Sequence, residues 1–162
     1  MSRQEATNQY LTALKAGQKN YRDCVLQGRY PYPQVLDEIL DDSMAAGQVD
    51  LGLIGIPTVR IVGTKAAGRI SAFAANFMPL LPSNTEFAGK WIELCLAHLG
   101  EGIRDPVRCY EYMGRFYIQE GNKRVSVLKS YGAPTIDAFV TRIIPAYSQD
   151  QAVQVYYEFL RS

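Results

Sequence analysis

Phe116-Tyr117-Ile118-Gln119-Glu120-Gly121-Asn122-Lys123-Arg124-Val125 reads as a strand that turns a corner into a helix. Phe116 to Gln119 is a short β-type run, and Gly121 breaks it. Asn122 to Tyr131 then places Val125, Val127 and Leu128 at buried helical positions, and Gly132 stands where a helix-ending glycine belongs. A helix that starts directly after a strand leaves its first N–H groups without intrahelical partners. With the positive end of the helix dipole, those donors form an anion site. Lys123 adds charge, and Arg124 adds a planar fork that matches phosphate. Asn122 is placed to cap the helix through its side-chain oxygen. Basic residues in a first turn oppose the dipole, which makes sense if an anion compensates them. The alternative is a surface helix with an Asn cap and two solvated cations, and the short motif leaves both open.

Outward from this corner, Pro106 to Met113 alternates as a strand, with Gly114-Arg115 as the hairpin turn. Ile136 to Ile144 is a further strand ended by Pro145, and 148–162 is an amphipathic helix through Val153, Tyr156, Tyr157 and Leu160. Toward the N-terminus, 4–27 reads as a helix on Tyr10, Leu14, Tyr21 and Val25, with Gly17 costing about 1 kcal/mol and inviting a break. After Tyr30-Pro31-Tyr32-Pro33, a second helix is expected over 34–42, with an acidic outer face of Asp37, Glu38, Asp41 and Asp42. Residues 43–50 read as a linker, and Leu51 to Ile56 as a buried strand ending at Pro57. Ser83 and Glu86 have capping-box spacing ahead of a helix through Trp91, Leu94, Cys95 and His98, stopped by Gly100. The division is a helical segment at 1–49, a small α/β (α+β) domain at 50–145 and a C-terminal helix at 146–162. An abrupt stop after that helix suggests a domain taken from something longer.

The chain has 162 residues, 48% hydrophobic and 20% charged, with 17 basic residues against 16 acidic and a net charge of +1. That balance does not support a protein that coats DNA or a membrane, although it allows a local basic site. Cys24, Cys95 and Cys109 have neither metal nor disulfide spacing, which suits reduced thiols in the cytoplasm. The single histidine, His98, reads as structural or surface, and no metal site is expected. The N-terminal stretch lacks a signal-peptide core, and the apolar run from Ile70 to Leu81 is too short for a bilayer. The tyrosines at 10, 21, 30 and 32 read as packing residues rather than a stacking platform.

A second candidate site is Gly63-Thr64-Lys65-Ala66-Ala67-Gly68-Arg69, a glycine-punctuated loop. Its glycines allow close backbone approach, and Lys65 and Arg69 can grip phosphate, with Gly63, Thr64 and Gly68 shaping the loop. It lacks the Gly-Lys-[Ser/Thr] order of a P-loop. Arg104 and Asp105 are candidate rim residues.

The corner, with Leu128-Lys129 and Tyr131-Gly132 behind it, resembles the signature of the ParB/sulfiredoxin superfamily: a strand, Gly-x-basic-Arg, then a helix closed by glycine. Glu101-Gly102-Ile103-Arg104-Asp105-Pro106-Val107 is similar to that family's lead-in strand, and Ile56-Pro57-Thr58-Val59-Arg60-Ile61 to its opening Ile-Pro strand. The resemblance implies a small mixed sheet with helices, here preceded by an N-terminal helical hairpin, whose corner binds nucleotide phosphates. ATP in sulfiredoxin, CTP in ParB and ATP or ADP in related serine kinases are the ligands it suggests, with Mg2+; some members of the superfamily are described as nucleases. Gly121, Lys123 and Arg124 fall on phosphate-binding positions, flanked by Glu120. Asn122 replaces the catalytic cysteine of sulfiredoxin and the glutamate usual in ParB. The paired acids of the kinases have no match, and ParB's DNA-reading helices are missing. A phosphate-binding domain, with weak NTPase or kinase activity an open question and no catalytic residue identified, is therefore the expectation. The alternatives are a DNA-associated regulatory or nuclease domain, and a protein-interaction domain whose helical ends dock a partner or a second copy.

Overall fold

The computed structural model describes residues 2–162. Ser2 accepts a hydrogen bond from the Glu5 amide and opens helix α1, Arg3–Leu26. The helix runs unbroken through Gly17. A Cβ on that residue would lie 2.2 Å from the Pro79 carbonyl oxygen, so the glycine allows close packing on the 78–79 backbone instead of marking a break.

The expected second helix of a hairpin is reduced to one turn. Gln34 and Val35 are drawn into the sheet as a two-residue strand, β1, and α2 covers only Leu36–Ile39. The linker expected at 43–50 is also absent, because β2 spans Ala45–Pro57 and pairs along its length with a later strand. It lies at a sheet edge and is largely exposed, not buried. The 49/50 division falls inside this strand. A bulge at Asp50/Gly52, with Gly52 at φ +69° and its amide on Asp50 Oδ1, offsets the pairing.

β3 is Ile61–Thr64, β4 Val107–Tyr112, β5 Arg115–Glu120 and β6 Thr135–Pro145. The sheet order is β1-β3-β5-β4-β6-β2. β1–β3, β3–β5 and β4–β6 are parallel, whereas β4–β5 and β2–β6 are antiparallel. The fold is thus a mixed six-stranded α/β sheet preceded by one long helix. The hairpin turn centres on Met113 and Gly114, both left-handed at φ 55° and 80°, one residue earlier than the sequence suggests.

Helix α3, Glu86–Gly100, starts later than a Ser83 cap would give. Thr85 is the cap, its hydroxyl accepting from the Ala88 amide, and Glu86 pairs with Lys90. Helix α4 is Asn122–Ser130, and helix α5, Gln151–Arg161, is capped by Asp150. Gly132, at φ +73°, follows the end of α4 as expected.

One face of the sheet buries Ile56, Val107, Ile118 and Val140 against Val125 of α4, each side chain worth about 1.5–3 kcal/mol. A neighbouring cluster joins α1 and α3 through Tyr10 and Trp91, whose rings meet edge-on at 5.2 Å. Tyr30 and Tyr32 are in edge contact, and Tyr32 also packs near Tyr21. His98 stacks near Tyr131, and all three cysteines are buried and unpaired. Among the described residues, no helix is long and apolar enough to cross a membrane.

Candidate functional site

The corner forms because Gly121 takes φ +110°, a conformation that suits only glycine. A Cβ there would lie 2.6 Å from Val107 Cγ1 and 3.2 Å from Arg124 Nε. Gly121 is itself the helix cap, so Asn122 is the first helical residue and does not cap through its side chain. The Val125 amide is the one that closes onto the Gly121 carbonyl, at 3.0 Å. The amides of Asn122, Lys123 and Arg124 precede this ladder and remain available to a ligand. Asn122 Oδ1 is buried and has no hydrogen-bond partner, which makes it an acceptor in want of a donor.

The basic residues of the corner divide sharply. Arg124 Nη1 donates to the carbonyls of Asp105 and Pro106, both at 3.0 Å, and Nη2 lies 3.5 Å from Glu120. One nitrogen of its fork thus ties the first turn of α4 to the entry of β4. Lys123 has no carboxylate partner among the described residues. It lies over the Phe87 ring at 5.4 Å, and its pKa is held below the ordinary lysine value. Burial is the largest cause, followed by the nearby charges of Lys90 and Arg69, with Glu86 opposing.

These groups surround a cavity of ≈ 600 Å³ between the head of α4, the outer side of α3 and the loop after β3. Its charged lining is Arg69, Lys90, Lys123 and Arg124 against Glu93 and Glu120. Glu93 is taken by Arg3 at 2.5 Å, Glu120 faces Arg124, and Lys90 lies 3.2 Å from Glu86. Of the lining cations, Arg69 and Lys123 have no carboxylate partner among the described residues. Trp91 fixes α3 beside α4 by donating from Nε1 to Ser126 Oγ at 2.8 Å, inside the core.

Of the glycine-punctuated loop, only Arg69 reaches the cavity. Gly63 is needed elsewhere: a Cβ would sit 2.0 Å from the Gln34 carbonyl oxygen, so the glycine admits β1 beside β3. Thr64 donates to the Ala66 carbonyl, and Lys65 pairs with Asp37 at 2.5 Å and lies over Tyr110. Gly68 turns the loop at φ +39°. Arg104 is exposed outside the cavity, and Asp105 contributes the carbonyl that holds Arg124. Lys90, Phe87 and Glu93 carry no motif in the sequence. They share one stretch of α3, and only the strand-to-helix topology brings that face to the corner.

No thiol serves the site. Burial pushes Cys95 up, and burial followed by the Glu111 charge pushes Cys109 up to about 12. Each carboxylate of the cavity faces an arginine, Glu93 facing Arg3 and Glu120 facing Arg124.

No family model matches the chain, and no curated protein matches it. Among solved structures, the chain is similar to sulfiredoxin from Arabidopsis thaliana, at 20% identity and a TM-score of 0.38. The overlap covers 54% of this chain and 82% of that one.

Proposed function

We propose that the corner cavity binds the phosphates of a nucleotide. The observation that carries this reading is Lys123: a half-buried ammonium at a helix N-terminus, crowded by Lys90 and Arg69 and without a carboxylate of its own. Such a placement is unfavourable until an anion enters. Three unpaired amides and two uncommitted cations suit a group with several anionic oxygens better than a single carboxylate. The Gly-x-basic-Arg pattern of the sequence favours the same ligand class. Mg2+ would arrive on the phosphates of a nucleoside triphosphate, which supply oxygen ligands.

The reading concerns binding. A thermal-shift screen with ATP, CTP, GTP and UTP, with and without magnesium, tests it. At a hundredfold excess over the dissociation constant, linkage gives about 2.7 kcal/mol, roughly 5–10 °C for a chain of this size. At least one nucleotide is expected to raise Tm more than inorganic triphosphate does. If none of the four raises Tm at millimolar concentration, the reading fails.

A further inference from the structure

At the other end of β5, on the same face of the sheet, lies a larger cavity of ≈ 760 Å³, within the range of small-molecule sites. Its floor is Phe116 and Pro57, and one wall is the Ala152, Val155 and Phe159 stripe of α5. Val155 is 61% exposed and Phe159 57%, although they lie on a helix whose inner residue, Tyr156, is only 6% exposed. These apolar side chains border the cavity without filling it. The opposite wall is the Met113–Gly114 turn.

Most of the charge in this cavity is already committed. Glu111 is 2% exposed and accepts from the Tyr156 hydroxyl, which lies 2.6 and 2.7 Å from its two oxygens. It also accepts from the Gly114 amide at 2.9 Å and from Arg142 Nε. The Glu111 charge is therefore answered by Arg142 and its lone pairs are occupied, so the carboxylate holds α5 and the turn in place. Arg60 remains. It is exposed, has no carboxylate partner among the described residues, and uses one nitrogen, Nη1, to donate to the Gly114 carbonyl at 3.2 Å. The rest of its fork is free at the edge of an apolar space.

We infer that this cavity binds a small apolar molecule bearing one acid group, its hydrocarbon part against Phe116, Val155 and Phe159 and its acid on Arg60. An aromatic or short aliphatic carboxylate has this chemistry. A neutral apolar ligand would leave the Arg60 fork unused, and a polyanion would meet a hydrocarbon wall in place of further donors. The inference is independent of the nucleotide reading, since the two cavities share no lining residue.

The probe is 1-naphthoate, with neutral 1-naphthalenemethanol of similar shape as the comparison, each titrated into the full 15N-labelled chain. Naphthoate is expected to shift the amides of residues 113–116 and 151–159 saturably, and to bind about tenfold more tightly than the alcohol. Arg60→Gln, a change at an exposed side chain, is expected to remove that tenfold preference and leave the alcohol's affinity unchanged. Val155→Glu, also exposed, is expected to weaken naphthoate by repulsion, with amides remote from α5 unmoved. Absence of saturable shifts in these segments at millimolar naphthoate overturns the inference. Equal binding of acid and alcohol, or a preference that survives Arg60→Gln, overturns it as well.

Discussion

The two ends of β5 open into cavities of similar size and different charge. The corner cavity is lined by helix amides and four basic side chains, while the second is walled by hydrocarbon and edged by one uncommitted guanidinium. Each contains a charged residue that is also tied into the fold. Arg124 commits Nη1 to the carbonyls of Asp105 and Pro106, and Glu111 accepts from Arg142, Tyr156 and Gly114. The charge available to a ligand is the remainder: Lys123 and Arg69 at one end, Arg60 at the other. A charge in a motif becomes a binding group only after its internal partners have been subtracted.

Substitutions at the two ends separate holding from binding. The largest expected effect is Glu111→Ala, which strands Arg142, Tyr156 and the Gly114 amide. A loss of about 3–5 kcal/mol in urea unfolding is predicted, and a loss under 1 kcal/mol would show that α5 is held by its apolar contacts alone. Gly121→Ala should cost roughly 3 kcal/mol, from a left-handed backbone plus the collision with Val107. Wild-type stability in that variant would mean that the corner can be built another way. Tyr156→Phe removes a donor to the buried Glu111 carboxylate, and a loss of about 2 kcal/mol is expected by the same unfolding measurement.

Lys123→Gln is the smallest in stability, within about 0.5 kcal/mol of wild type, yet it should abolish nucleotide-induced thermal shifts. Its pH dependence follows from burial and from Lys90 and Arg69, which keep the folded pKa below the ordinary value. The charge costs stability below that lowered pKa, and the cost is relieved as pH climbs toward 10.5. An anion favours the charged ammonium, so nucleotide affinity should fall as pH rises through the pKa of the unliganded protein. Calorimetric titrations of wild type from pH 7 to pH 10 should show this decline, whereas Lys123→Gln should show no measurable binding across the range.

The corner is legible in the sequence because its determinants are consecutive. Gly121 to Arg124 carry the break, the helix start and the charges within one turn. Even so, the side-chain cap expected of Asn122 belongs to the backbone of Gly121, and the fork of Arg124 faces inward. Both outcomes depend on how β4 packs beneath the corner. The residues 63–69 split for a similar reason: β1 pairs with β3, which fixes Gly63 against Gln34 and turns Lys65 toward Asp37. The short α2 and long β2 depart from the sequence expectation because partners far along the chain, Thr64 and β6, override weak local preferences. The apolar cavity leaves no trace in the sequence. Pro57, Glu111, Arg142 and Tyr156 come from four separated segments with no shared motif.

The most direct test is a 15N amide titration of the full chain with the nucleotide that stabilises it most. The amides of Gly121 to Arg124 and those around Arg69 and Lys90 should shift together and saturate, with residues 113–116 and 151–159 unmoved. Shifts confined to the Arg60 end, or none at the head of α4, would contradict a phosphate site at the corner.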